Sequence, residues 1–113
     1  MTEHCVSAVM AAYDEEATLE AAASRVLASP RCAELIIVDD GSRDRTLEIA
    51  RKLEAADDRV RVLEQGYNQG KGAALRRGIA LATAPIVIVQ DADLEYDPAD
   101  YELLIGPILE DKA

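Results

Sequence analysis

The chain has 113 residues, the size of one compact domain, and half of them are apolar, enough for a core. With no Phe or Trp and four Tyr, that core must be built from Ala, Val, Ile and Leu, which lets helices approach closely. A net charge of −10 speaks against nucleic-acid binding, because phosphate neutralisation needs Lys and Arg, and no apolar run is long enough to span a bilayer.

"VSAVMAA" (6–12) predicts a first strand. "TLEAAASRVL" (18–27) predicts a helix, with Leu19, Ala22, Ala23, Val26 and Leu27 spaced along one face. After "SPRC" breaks it, "ELIIVDD" (34–40) is short, apolar and β-branched, and predicts a buried strand. "GSRD" turns the chain, and Ser42 or Asp44 can cap the helix "RTLEIARKLEAA" (45–56). "RVRVLEQ" (59–65) alternates and predicts a third strand. "GYNQGKG" is a loop, and "AALRRGIALAT" (73–83) a helix with Leu75, Ile79 and Ala82 on one side. "PIVIVQD" (85–91) predicts a fourth strand, also buried. Asp97-Pro98 reads as an N-cap and first position of a last helix through Tyr101, Leu104, Ile105 and Ile108, which Gly106-Pro107 should bend or end.

The order βαβαβαβα predicts an α/β fold in one domain, 1–113: three layers, α/β/α, with a mostly parallel sheet and helices on both faces. In such sheets ligands bind at the carboxyl ends of the strands. "AYDEE", "DDGS", "QGYNQGKG" and "DADLE" each follow a strand, which puts all four polar clusters on one edge.

The charge is uneven. Basic and acidic residues number two and eight in 1–40, nine and six in 41–90, and one and eight in 91–113. An acidic end beside a mildly basic middle fits a metal and a phosphate. Cys5 and Cys32 lack any ligand spacing and read as thiols of a reduced, cytoplasmic protein. "MTEHC" carries no secretion signal, and His4 reads as tail or surface.

Each cluster has a plain reading and a functional one. Asp39 and Asp40 suit a turn, and equally suit a carboxylate that accepts from a ligand's N–H or hydroxyl. In "GYNQGKG", glycines let backbone N–H groups approach an anion, and Lys71 adds charge at a helix start. It is no P-loop: the spacing is one short, and Gly72 replaces the hydroxyl residue. Asp91, Asp93, Glu95 and Glu102 match EF-hand positions, but Tyr96 stands where that loop needs Gly, Pro98 interrupts, and the motif follows a strand. A solvated acidic loop accounts for Asp97 and Asp100 better than for Asp91 and Asp93. An extended D-x-D turns both carboxylates to one side, which suits Mg²⁺ or Mn²⁺ with phosphate oxygens and water completing the shell.

Taken together, "AAYDEEATL", "IIVDDGSRDRT", "NQGKGAALRRGI" and "IVIVQDADLEYDP" resemble, in order and over nearly the whole chain, the family 2 glycosyltransferases of the GT-A fold. The subgroup that transfers sugars to polyprenyl phosphates looks nearest. The resemblance implies a Rossmann-like GT-A nucleotide-binding half and a UDP- or GDP-sugar donor. It implies that Ala11, Tyr13 and Glu15 line base and ribose, that Asp40 accepts from the base, and that Asp39 supports the turn. Lys71 would lie near the nucleotide, Asp91 would touch ribose or metal, and Asp93, with Glu95, would bind the metal. The metal would stabilise the diphosphate leaving group while in-line attack inverts the sugar carbon. A hydroxyl acceptor would need a general base, whereas a phosphate acceptor is already anionic.

Two positions depart from the family pattern. Ala11 stands where Pro is usual, so the loop after the first strand should be less rigid, and Asp14 replaces Asn, adding charge and losing a donor. The family's acceptor half, with the acidic motif that supplies the base, usually follows. The chain therefore reads as the nucleotide-sugar-binding part, without a catalytic residue of its own, peripheral at the inner face of the membrane, able to bind a metal-nucleotide weakly but not to turn over alone. Two other readings stand beside this one: a phosphoacceptor receiver-like signalling domain, whose acidic pair should follow the first strand rather than the second, and a nucleotide-binding module without catalysis.

Overall fold

A computed structural model describes residues 5–92. Its elements are β1 (Val6–Ala12), α1 (Leu19–Leu27), β2 (Cys32–Asp39), α2 (Thr46–Ala56), β3 (Val60–Glu64), α3 (Lys71–Leu81) and β4 (Ile86–Val89). The last predicted helix with Asp97 and Pro98, the motif residues Asp93 and Glu95, and His4 lie outside the described residues. Helix α3 starts two residues before its predicted beginning: Gly70, at φ 97°, makes the sharp entry, and Lys71 and Gly72 form the first turn.

The four strands are parallel in the order β3-β2-β1-β4. Alternate residues face opposite layers. Ala8, Met10 and Ala12 of β1, with Leu35 and Ile37 of β2, form one core with Leu19, Ala22, Ala23 and Val26 of α1 and Ala50 of α2. Val9, Ile36 and Val38 face the other way, onto Ala74 of α3. The fold is therefore the three-layer α/β/α arrangement, with α1 and α2 on one face and α3 on the other. Small residues set the α3 spacing. A Cβ on Gly78 would fall 2.5 Å from Val9 Cγ1, closer than real contacts allow, and a tight 3.1 Å from Val38 Cγ2.

Strand order separates two of the readings above. A receiver-type sheet places β1 between β2 and β3. Here β1 lies between β2 and β4, the Rossmann order. One expectation needs correcting. The fourth strand was expected buried, but β4 pairs only with β1 among the described residues, and Val87 and Val89 are 40% and 44% exposed. An apolar run reports burial only when both strand edges and both faces are covered. Ala11 lies inside β1, as the strand over 6–12 predicts, in register with Val38.

At the amino ends of the strands, a buried carboxylate ties the sheet to the α3–β4 connection. Glu34 accepts from Ser7 Oγ (2.6 Å), Thr83 N (2.7 Å) and Thr83 Oγ1 (2.9 Å), while Ser7 Oγ accepts from Ala84 N (2.9 Å). Burial pushes the Glu34 carboxyl up, but the Ser7 hydroxyl, the Thr83 amide and hydroxyl and the Arg61 guanidinium outweigh it and hold it below its ordinary value.

Candidate functional site

A cavity of about 270 Å³ opens where the chain reverses direction across the sheet, at the carboxyl ends of β1 and β4. Ala11, Ala12, Tyr13, Glu15, Asp40, Lys71, Asp91 and Ala92 line it. Six positions singled out in the sequence (Ala11, Tyr13, Glu15, Asp40, Lys71 and Asp91) thus meet in one place, although they come from four separate connections. Asp39 is buried beside them but does not line the cavity.

The segment after β1 is shaped by the β2–α2 connection. Thr46, fully buried, accepts from Glu15 N–H through Oγ1 (2.7 Å). Asp44 Oδ2 accepts from Glu16 N–H (3.3 Å), and its Oδ1 accepts from the Thr46 amide (2.9 Å) and hydroxyl. Arg45 holds the N-cap position of α2 without a side-chain cap bond, and Asp44, one residue earlier, satisfies the first helical amide, that of Thr46. Ser42, the other candidate cap, does something else: its Oγ accepts from Asp14 N–H (2.9 Å). Thr18 Oγ1 donates to the Ala92 carbonyl (2.8 Å), which fixes the chain beyond β4 against the start of α1.

The glycine-rich connection is held by the acidic pair. Both Asp40 oxygens accept backbone N–H groups, from Gln69 (2.8 Å) and Gly70 (3.0 Å). Gly41 permits this approach: at φ 75°, a Cβ there would lie 2.4 Å from the Tyr67 carbonyl carbon. Asp39 Oδ2 accepts from Ser42 N–H (3.3 Å), closing the turn, while its Oδ1 is buried with no hydrogen-bond partner among the described residues. Across the cavity, Lys71 Nζ lies 2.8 Å from Asp91 Oδ1.

Asp14 and Arg43, not among the candidate site residues of the sequence, do not line the cavity but adjoin its Tyr13. Asp14 has φ 53°, a conformation that Asp tolerates better than most residues. Its carboxylate accepts from Arg43 N–H (2.7 Å), Nε (3.3 Å) and Nη2 (3.0 Å). The Arg43 backbone N–H and guanidinium hold the Asp14 carboxyl below its ordinary value. The same guanidinium stands over the Tyr13 ring, 5.8 Å from its centroid. The sequence signals were present in Asp14 for Asn and in the arginine of "DGSRD", but 29 residues separate the partners.

Hard oxygen donors suit a divalent cation better than a soft one. Asp91 brings one carboxylate to the cavity wall, and no group of three or more His, Cys, Asp or Glu among the described residues could hold a metal. Its donor type fits Mg²⁺ or Mn²⁺, which would need further oxygens besides this one carboxylate.

The family described as "Glycosyl transferase family 2" matches residues 7–113. The chain is 34% identical over 108 residues to the dodecaprenyl-phosphate galacturonate synthase of Rhizobium johnstonii. It is 36% identical over 105 residues to the undecaprenyl-phosphate 4-deoxy-4-formamido-L-arabinose transferase of Aeromonas hydrophila. These matches cover 91% and 88% of this chain and 32% of each relative, so the chain spans about a third of their length. The glucosyl-3-phosphoglycerate synthase from Mycobacterium tuberculosis, solved with Mn²⁺, UDP and glucosyl-3-phosphoglycerate, superposes with a TM-score of 0.74 at 32% identity, over 92% of this chain and 39% of that one.

Proposed function

The chain belongs to glycosyl transferase family 2, and from that premise we propose that its β1/β4 cavity binds a nucleoside-diphosphate sugar for transfer, with inversion, to a polyprenyl phosphate. The observation that carries this is the convergence of Tyr13, Glu15, Asp40, Lys71 and Asp91 on one cavity at the switch point of a parallel sheet. The acceptor class rests on the names of the two curated relatives, and such an acceptor would bring the protein to a membrane surface.

Tyr13 and Ala11 would form the wall for the base, and Glu15 would accept from ribose hydroxyls. Asp40, although it already takes two amide N–H groups, keeps lone pairs for a base N–H, and the unpartnered Asp39 Oδ1 lies on the neighbouring residue. Lys71, which pairs with Asp91 across the cavity, would meet a diphosphate oxygen. Asp91, with Asp93 and Glu95, would hold a divalent ion, which supplies Lewis-acid stabilisation of the charge developing on the diphosphate. A phosphate acceptor arrives ionised, so no described side chain is asked to remove a proton from it.

Calorimetric titration with UDP and with GDP, in Mn²⁺ and in EDTA, tests the reading. Metal-dependent binding of one nucleotide is expected. A folded protein that binds neither, or binds both equally with and without metal, contradicts it.

A further inference from the structure

We propose that Arg43 is a positioning residue for the base-binding wall: anchored on Asp14, its guanidinium holds the Tyr13 ring in place, and so sets affinity for the nucleobase while leaving the diphosphate end untouched. The proposal rests on the reading that this cavity takes a nucleotide.

The geometry is specific. Tyr13 lines the cavity and is 37% exposed, so without a neighbour its ring could leave the wall by a change of rotamer. Arg43 supplies that neighbour. Its guanidinium stands over the Tyr13 ring, 5.8 Å from the centroid, while its Nε and Nη2 donate to Asp14 Oδ2. Its backbone N–H also binds Asp14, so the anchor is fixed at both ends of the arginine. Asp14 is itself pinned by its left-handed backbone and by Ser42. A planar guanidinium can donate two N–H groups to one carboxylate oxygen along its edge and still present its face to a ring, which an ammonium cannot.

The pair adds little to global stability, because the Arg43 side chain is 80% exposed and ion pairs in such positions are weak. The pair is also internally neutral. The charge that Asp14 adds relative to Asn is matched at the same spot, so an anionic ligand meets no extra negative field there.

The charge-neutral double substitution Asp14→Asn/Arg43→Ala tests this, since Asn also tolerates the left-handed conformation at position 14. Four proteins are compared: wild type, Tyr13→Ala, the double variant and the triple variant. Each is titrated with UDP, GDP and inorganic pyrophosphate in Mn²⁺, with urea midpoints as the folding control. The double variant is expected to bind the preferred nucleotide three- to ten-fold more weakly and pyrophosphate within two-fold of wild type. The triple variant should lose no more than Tyr13→Ala alone. Nucleotide binding weakened by Tyr13→Ala but unchanged in the double variant overturns the role of Arg43. Parallel loss of pyrophosphate affinity overturns it too, since it assigns the effect to charge or folding. Failure of wild type to bind either nucleotide would instead remove the premise, the nucleotide site itself.

Discussion

Asp40 serves two loops at once. It starts the connection after β2 and, through both oxygens, carries the backbone of Gln69 and Gly70, so the glycine-rich connection is held by a side chain 29 residues away. Replacing Asp40 with Ala leaves two partly buried N–H groups without an acceptor. A loss of about 1–3 kcal/mol is expected from urea unfolding, with faster amide exchange at Gln69 and Gly70 than at the strands. Unchanged exchange at those two amides would show that the loop holds itself. From the sequence, the acids of "VDDGS" suit a turn and a ligand acceptor equally well. The structure divides the work: Asp39 closes the turn, and Asp40 reaches the cavity. Local turn chemistry is legible from residue type and spacing. The partners of Asp40, Asp14 and Thr18 are not, because each is fixed by the packing of distant segments.

At the scale of elements, four parallel strands and three helices follow from apolar spacing and turn residues, because the period of two or 3.6 records which face is buried. What the spacing of "IVIV" leaves out is the neighbour on either edge, and β4 has β1 on one side only among the described residues. The α3–β4 connection depends on Glu34, whose role no local pattern announces. Its folded carboxyl lies below its ordinary value, so the folded state binds fewer protons there than the unfolded one. The stability it contributes is present above the unfolded value, about 4.3 for a Glu, and is lost as the pH falls through the lower folded value. Urea midpoints measured from pH 6 down to pH 3 should therefore fall more steeply for wild type than for Glu34→Gln, whose own midpoint is lower at pH 6. Parallel curves would mean that the Ser7, Thr83 and Arg61 contacts do not favour the charged form.

For the molecule as a whole, the site is a consequence of strand order. The chain builds β1, β2 and β3 outward in one direction, then returns to the far side of β1 for β4, and the loops part at that reversal. The alternation of elements predicts that ligands meet the carboxyl edge. It does not predict the order, which decides that the β1 and β4 loops are the ones that face each other. The central claim is therefore a location, and the most direct measurement is one that maps it. Mn²⁺ is paramagnetic and broadens nearby amide signals, so a titration of Mn²⁺ with UDP, and separately with GDP, into ¹⁵N-labelled protein reads out distance from the ion residue by residue. Ala11 to Glu15, Gln69 to Lys71, Asp91 and Ala92 should be lost first, while Glu34 and Thr83, at the amino ends of the strands, stay sharp. Broadening centred on any other surface, or spread evenly over the acidic chain, would contradict the account.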